Sequence, residues 1–386
     1  MSRDTFLPFC PSTIGEAEIA AVTDVLRSGW ITTGPRVRAF EAAFAEAVGA
    51  ESALAVSSWT TGAEIVLRAL GIGPGDEVIT TPMTFCATAN IVEHIGAKPV
   101  IADVCPDTLN LDPQAVAAAI TPRTRALLPV HFAGHPVDLA PLRELAEAHD
   151  LHLFEDAAHA FPASYQGTPI GSAGSLAAFS FYATKNLSTA EGGMVVGPTE
   201  LVDRCRVLSL HGMSRDAWKR YDAGGTWRYD VVEPGWKANM TDIQAALGLV
   251  QLSRMDAFDA RRREIVQRYL QAFGSEPGLE CPVERSDVQH AWHLFVLRLR
   301  PEILGISRDD FIEALKARNI GTSVHFIPLH EHSYYKDRYG WSATTVPIAH
   351  DAWQRQLSLP LSPALTDDDV GDVIDAVREI IEEHRP

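Results

Sequence analysis

The sequence predicts an α/β protein in two parts. The large domain, residues 1–254, has a mostly parallel seven-stranded sheet flanked by helices; the smaller C-terminal domain, residues 255–386, is α+β. Three observations carry this expectation. Seven short apolar runs, each bounded by Gly, Pro, Asp or Ser, recur through the first two thirds of the chain, as strands buried on both faces do. Helical patterns lie between many of them, and strands alternating with helices imply an open, largely parallel sheet. The 386 residues are enough for two or three domains.

The strands fall at Ala53–Val56, Glu77–Thr80, Pro99–Ala102, Arg125–Val130, Leu151–Glu155, Leu176–Tyr182 and Met194–Gly197. Leu139, Leu142, Leu145 and His149 line one face of a helix. From Thr241 to about Phe273 the pattern reads as one long helix, with Ile243, Leu247 and Val250 on one face and Ile265, Tyr269 and Phe273 further on. The domain boundary is expected within it, near residue 255. Ala291–Arg300 then reads as a strand. Ser307 with Asp310, and Thr366 with Asp369, have the form of capping boxes that open helices. The second helix carries the apolar stripe Val370, Val373, Ile374, Val377, Ile380 and Ile381.

Composition bounds the function. The 46% hydrophobic and 22% charged shares are ordinary for a globular protein, and a chain this long needs neither disulfides nor a metal to fold. A net charge of -17, with no basic run, argues against a nucleic-acid partner. Cys10, Cys86, Cys105, Cys205 and Cys281 are odd in number, far apart and without C-x-x-C. That pattern gives no disulfide framework and no zinc site, and fits a reducing cytosol. The opening Met1–Phe6 lacks the form of a signal peptide, and no apolar stretch approaches the ~20 residues of a membrane span. A cytoplasmic protein without a metal or membrane partner is expected.

Open α/β sheets bind ligands beyond the carboxyl ends of their strands. G-x-G-x-x-G, the P-loop and H-E-x-x-H are absent there, and Gly71–Gly75 follows a helix and reads as a turn. The first strand ends in Ser57-Ser58-Trp59-Thr60-Thr61-Gly62, followed by a helix over Ala63–Leu70. A hydroxyl-rich turn at a helix N-terminus holds an anion through free N–H groups and the helix dipole; an ordinary N-cap uses the same residues. The fifth strand ends in Glu155-Asp156-Ala157-Ala158-His159. An acid there can hold a protonated ring nitrogen, or be a surface acid. Lys185 follows the sixth strand, before Gly192 and Gly193, which could simply mark a turn. Burial would make Lys185 a nucleophile; a solvated lysine is the commoner fate. Each signal is weak alone. Their order along one sheet edge supplies what pyridoxal phosphate needs: an anion site, a carboxylate for the pyridine nitrogen, and a lysine for the aldehyde and the proton.

A longer series of motifs occurs in order: Gly15–Val22, Ser28–Pro35, Leu70–Val78, Pro82–Asn90, Val130–Pro136, Glu155–His159, Phe179–Phe181, Lys185-Asn186, Glu191–Met194, Met240–Ala246, Thr322–His330 and Leu357–Leu361. Over nearly the whole chain these resemble the DegT/DnrJ/StrS family of sugar aminotransferases. The resemblance implies the aspartate-aminotransferase type of fold (fold type I of pyridoxal-phosphate enzymes) and a homodimer with shared active sites. It makes Lys185 the Schiff-base lysine and Asp156 the partner of the pyridine nitrogen. His159 would sit near the cofactor's O3′, and Ser180 would bind the phosphate together with the turn Ser58, Trp59 and Thr60. Phe85 would stack on the ring face, a core phenylalanine being the alternative. Asn239, with Lys237 nearby, would reach the phosphate from the neighbouring subunit. Trp30, Thr32 and His325 would line the sugar-nucleotide cleft, a structural histidine being the alternative for His325.

One departure stands out. The family often has Ser-Gly-Thr where this chain has Ser58-Trp59-Thr60. Tryptophan adds bulk where glycine permits close approach, which leaves open the conformation of residue 59. Its ring would either reshape the sugar pocket or pack in the core. The implied activity is transfer of an amino group from L-glutamate to a nucleotide-linked 4-keto-6-deoxy sugar. A C3 keto-sugar or aminocyclitol aminotransferase, and a non-catalytic cofactor-binding regulator, are the alternatives. The family's dehydratase branch carries histidine in place of the lysine, so Lys185 speaks against it.

Overall fold

Each of the seven apolar runs forms a strand. In chain order these are β1 (Ser52–Val56), β2 (Glu77–Thr80), β3 (Lys98–Ile101), β4 (Thr124–Leu128), the interrupted pair β5 (His152–Leu153) and β6 (Glu155–Asp156), then, after a small hairpin of β7 (Ser164–Tyr165) and β8 (Thr168–Pro169), β9 (Ala177–Ser180) and β10 (Gly193–Gly197). The structure, a computed structural model, describes residues 3–214 and 228–385; Met1 and Ser2 of the opening segment lie outside them.

Two four-stranded sheets, β3-β2-β4-β5 and β1-β10-β9-β6, meet along the interrupted strand. Phe154 N–H donates to Leu127 O and Asp156 N–H to Pro129 O, and Val130 bridges Asp156 in parallel. The first sheet is parallel throughout. In the second, β6 runs parallel to β9, and β10 is antiparallel to both its neighbours. The layer is therefore mostly parallel, and Asp156 lies at the seam between its halves.

Helices cover this layer. The helix Pro35–Val48 buries Phe40 and Phe44, and Phe44 packs its ring 5.0 Å from Phe179 and 5.3 Å from Phe181. These side chains close the sheet face behind β9, the strand that leads to Lys185.

Two sequence expectations are corrected. The helix expected over 241–273 is two helices, Asp242–Ser253 and Met255–Phe273, broken at Arg254. Arg254 turns its guanidinium to Glu18, at 2.5 Å, and over the Phe258 ring, at 4.7 Å. A one-residue break leaves the apolar period intact, so the pattern reads straight through it. The strand expected over 291–300 is only Phe295–Leu299. Trp292 has φ 45°, and Ala291 and Leu294 donate to Gly134 O and Ala133 O. The apolar residues ahead of the strand are drawn into a bend that buries His293.

The C-terminal part has an antiparallel sheet, with Phe295–Leu299 between Leu279–Glu280 and Gln356–Leu359. Both expected caps form. Ser307 Oγ accepts the Asp310 N–H at 3.2 Å and opens the helix Arg308–Ala317. Thr366 and Asp369 exchange side-chain bonds with each other's backbone N–H groups ahead of Asp367–His384. Among the described residues no helix is long and apolar enough to cross a membrane.

Candidate active site

A cavity of about 570 Å³ opens at the carboxyl ends of the strands. It is bordered by Ser58, Trp59, Thr60, Phe85, Asp156, His159, Ser180, Lys185 and His325. These are nine of the thirteen residues singled out in the sequence, brought together from six segments of the chain.

The anion end is a helix start. The helix begins at Trp59, four residues earlier than expected, with Ser58 as its N-cap. Ser58 Oγ accepts the Thr61 N–H at 3.1 Å and Ser58 O the Gly62 N–H. The Trp59 and Thr60 N–H groups precede the first intrahelical bond and face outward from the helix end. Ser58 is thus both a cap and a wall of the cavity. Residue 59 has ordinary negative-φ backbone, being absent from the positive-φ positions, so the tryptophan meets no backbone penalty. Its ring is buried in the apolar cluster that includes Val56, Ala63 and Ala238. Close approach is instead provided by Gly193. A Cβ there would lie 2.7 Å from Ser58 C and from Trp59 N, inside any tolerable contact. What the sequence offered as a turn glycine is the floor under the phosphate-type turn.

Asp156 sits at the far end, buried. Its Oδ2 accepts from Thr88 Oγ1 at 3.0 Å and its Oδ1 from the Ala158 N–H at 3.1 Å. Burial pushes its pKa up to about 6, against the pull of those two bonds and of Lys185. Lys185 borders the cavity and keeps some exposure there. Enclosure by protein pulls its pKa down to about 8, with Asp156 opposing. The lysine is thereby nearer its neutral, nucleophilic form than a surface lysine. His159 is buried and held neutral, its pKa well below the usual range through burial and the charge of Lys185. Its Nδ1 is enclosed with no hydrogen-bond partner among the described residues. The ring lies 4.4 Å from His293 and stacks 5.8 Å from Phe326. Phe85 is 59% exposed, which removes the core alternative.

These residues fit pyridoxal phosphate. A helix N-terminus with hydroxyls suits its phosphate, a buried carboxylate its ring nitrogen, a depressed lysine its aldehyde, and the orphaned His159 Nδ1 a polar ring substituent. A family model for the DegT/DnrJ/EryC1/StrS aminotransferases matches residues 12–378.

The chain belongs to that family.

This aminotransferase is 52% identical over 381 residues to the spore coat polysaccharide biosynthesis protein SpsC of Bacillus subtilis (strain 168), covering 98% of each chain. Among solved structures it superposes on the sugar aminotransferase Spr1654 of Streptococcus pneumoniae in its PLP form with a TM-score of 0.91. The identity there is 34%, over 99% of this chain and 100% of that one. DesV of S. venezuelae gives a TM-score of 0.88 at 38% identity, over 97% of this chain and 99% of that one. The protein is accordingly a pyridoxal-phosphate-dependent aminotransferase of fold type I.

Trp30, Thr32, Lys237 and Asn239 are not part of this cavity's lining. They form a second group. Lys237 Nζ donates to Asn239 Oδ1 at 2.5 Å, Asn239 Nδ2 to Thr33 Oγ1 at 2.6 Å, and Trp30 Nε1 to Thr33 O at 3.0 Å. Thr32 O accepts the Asp242 N–H at 3.0 Å. His325 does reach the cavity, with Nδ1 2.9 Å from Ser358 Oγ; burial pulls its pKa down to about 3.

Sequence reasoning gave no role to Thr88, Phe326 and His293, though each lies in a quoted motif or strand; all three border the cavity. Asn186 was quoted within a motif but given no role. It donates to Phe161 O and Ala291 O and meets His293 Nδ1 at 3.2 Å, tying the lysine segment to the bend ahead of Phe295–Leu299. No spacing signal marks these residues, because their partners come from distant parts of the chain.

Proposed function

We propose that the enzyme transfers the amino group of L-glutamate to C4 of a nucleotide-linked 4-keto-6-deoxy sugar, in amino-sugar biosynthesis for a surface glycan. The observation that carries this reading is the shared cavity of Lys185, Asp156 and the Ser58–Thr60 helix start, which leaves its Phe85 side open to a second ligand. The sugar-aminotransferase relatives and the polysaccharide role printed for SpsC support the substrate class.

The cofactor, when bound, supplies an electron sink for the carbon that loses its proton. The chain's own residues do the rest. The helix start and Ser180 hold the phosphate. The Asp156 carboxylate, kept in place by Thr88 and the Ala158 N–H, holds the proton on the ring nitrogen. His159, neutral, gives the ring oxygen a hydrogen-bond partner. Lys185 Nζ takes the proton from Cα of glutamate in the first half-reaction and delivers one to the sugar carbon in the second. Phe85 covers the ring face. The nucleotide contributes remote binding energy, realised as orientation of the keto carbon.

The second group of residues belongs, in this reading, to the neighbouring subunit's site. Asn239 and Lys237 would reach the partner's phosphate, and Trp30 and Thr32 its sugar cleft. The exposed apolar side chains of Trp30 and its chain neighbour Ile31 support a homodimer interface there. A cytoplasmic location belongs to the same proposal, since the five cysteines are all free. Incubation of purified enzyme and glutamate with a panel of UDP-, GDP- and dTDP-linked keto sugars, with products identified by mass spectrometry and NMR, tests the reading. Amination only at C3, or of none of the panel, would reject it.

A further inference from the structure

We propose that His330, Glu331 and His350 form a binding site for one divalent transition-metal ion, with zinc as the matching metal. The sequence reading gave no metal site, because it looked for cysteine spacings and the contiguous H-E-x-x-H motif. Among the described residues these three converge outside the active-site cavity. His330 and Glu331 lie on the short turn Leu329–Glu331 and His350 on the helix Pro347–Arg355, so the pairing is tertiary and has no motif.

The geometry carries the proposal. His330 Nε2 and His350 Nδ1 are 3.2 Å apart. Glu331 Oε1 is 3.2 Å from His350 Nδ1 and 3.6 Å from His330 Nε2. A tetrahedral zinc with bonds of about 2.0–2.1 Å sets its ligand atoms about 3.3–3.4 Å apart. The three atoms therefore already mark one face of such a tetrahedron. A hydrogen-bonded triad explains the cluster less well. The 3.6 Å edge is too long for a hydrogen bond, and one proton bridges only one of the two shorter edges well. A cation at the centre attracts all three atoms.

The donor set is also selective. Two imidazoles and one carboxylate suit zinc and its neighbours rather than magnesium or calcium, which prefer oxygen. Glu331 and His350 are partly exposed while His330 is enclosed, which gives an entry path and room for water as a fourth ligand. An outer shell exists on two sides. Lys336 Nζ meets Glu331 Oε2 at 2.7 Å. The Gln354 side-chain amide lies 3.1 Å from His350 Nε2; with its oxygen turned to the ring it accepts that N–H.

The site has a structural consequence. The Leu329–Glu331 turn follows Phe326 in the chain, and Leu329 N–H donates to Pro82 O, just ahead of Phe85. Both aromatics border the cavity. The ion would clamp this segment to the helix Pro347–Arg355, whose Ile348 and Ala349 N–H groups are anchored by Asp103.

The test uses holoenzyme treated with chelator, dialysed, and titrated with zinc chloride by calorimetry, with bound metal counted by mass spectrometry. One zinc per chain is expected. His350→Ala should weaken binding by about 100-fold or more, beyond what loss of an outer-shell partner usually does. Glu331→Gln should weaken it at least about 10-fold, and Lys336→Ala, which removes an outer-shell partner, should weaken it less than His350→Ala does. Cobalt in place of zinc should give the intense visible bands of a tetrahedral site, lost in His350→Ala. If His350→Ala does not fold, Glu331→Gln decides alone. Absence of stoichiometric binding, or undiminished binding in the folded variants, would overturn the proposal.

Discussion

The hydroxyl of Thr88 donates to Asp156 Oδ2 at 3.0 Å, and Thr88 in turn shares a 2.7 Å hydrogen bond with Thr84. A helix of the sheet's outer layer thus steadies the acid assigned to the pyridine nitrogen. The bond opposes the rise in pKa that burial imposes on Asp156. Thr88→Val removes the donor at nearly constant volume. It should move the acid limb of the kcat/KM profile to higher pH and cost about 1–3 kcal/mol of stability, the usual range for a buried partner lost. A pH–rate series with paired denaturant melts checks both; an unmoved acid limb would make Thr88 merely structural.

Lys185, proposed as the Schiff-base lysine, is the residue on which the activity is expected to depend most. Lys185→Ala should lower transamination by at least about 10⁴-fold, since it removes both the attachment point and the proton carrier. The visible absorbance of enzyme loaded with cofactor should change with it. Single-turnover assays with glutamate and absorbance spectra read these independently.

Asp156 links function to stability. Its pKa in the folded chain, about 6, is above the ordinary value of 3.8. A carboxyl raised in this way stabilises the fold only when protonated. Its contribution is fully present below pH 4 and is lost as pH rises through 6. The cost of the buried charge above that window is about 3 kcal/mol. Cofactor-free Asp156→Asn should therefore be more stable than the wild type at pH 8, with the gain shrinking to nothing near pH 4. The same variant should bind cofactor more weakly and turn over slowly. Thermal melts across pH, with and without cofactor, decide it.

Gly193 sets the depth of the anion site. A Cβ would lie 2.7 Å from backbone atoms of Ser58 and Trp59, and backbone cannot rotate aside as a side chain can. Gly193→Ala should displace the helix start and weaken cofactor binding by about 10-fold or more, at an overpacking cost of about 1–3 kcal/mol. Fluorescence titration of cofactor-free enzyme gives the affinity. Unchanged binding would mean that the phosphate does not use this turn.

The proposed sharing of active sites between subunits makes a mixing prediction. Lys185→Ala and Asn239→Ala chains are each expected to be nearly inactive alone. In randomly mixed dimers, roughly a quarter of all sites would combine an intact Lys185 with the partner's intact Asn239. Co-refolding and assay should recover about that fraction of activity, and no recovery would assign Asn239 to its own chain's site.

The seven strands and both helix caps were legible in the sequence because they depend on local pattern: apolar runs between breakers, and a hydroxyl three residues ahead of an acid. The order of Ser58–Thr60, Asp156 and Lys185 along the chain was enough to suggest the cofactor, because each follows a strand and strand ends share one sheet edge. Local pattern was silent where contacts are distant. It could not mark the break at Arg254, whose guanidinium is drawn to Glu18, nor the bend at Trp292. It gave Gly193 no more than a possible turn although its neighbours are Ser58 and Trp59, and it left the side chain of Trp59 open. Thr88 beside Asp156, His293 beside His159, and His350 beside His330 are separated by 68, 134 and 20 positions in the chain. The sequence by itself determined the strands, the helix caps and the order of the candidate residues along the chain. Only the tertiary structure decided which of them meet, because burial, a pKa and a ligand triangle are properties of neighbours brought together in space.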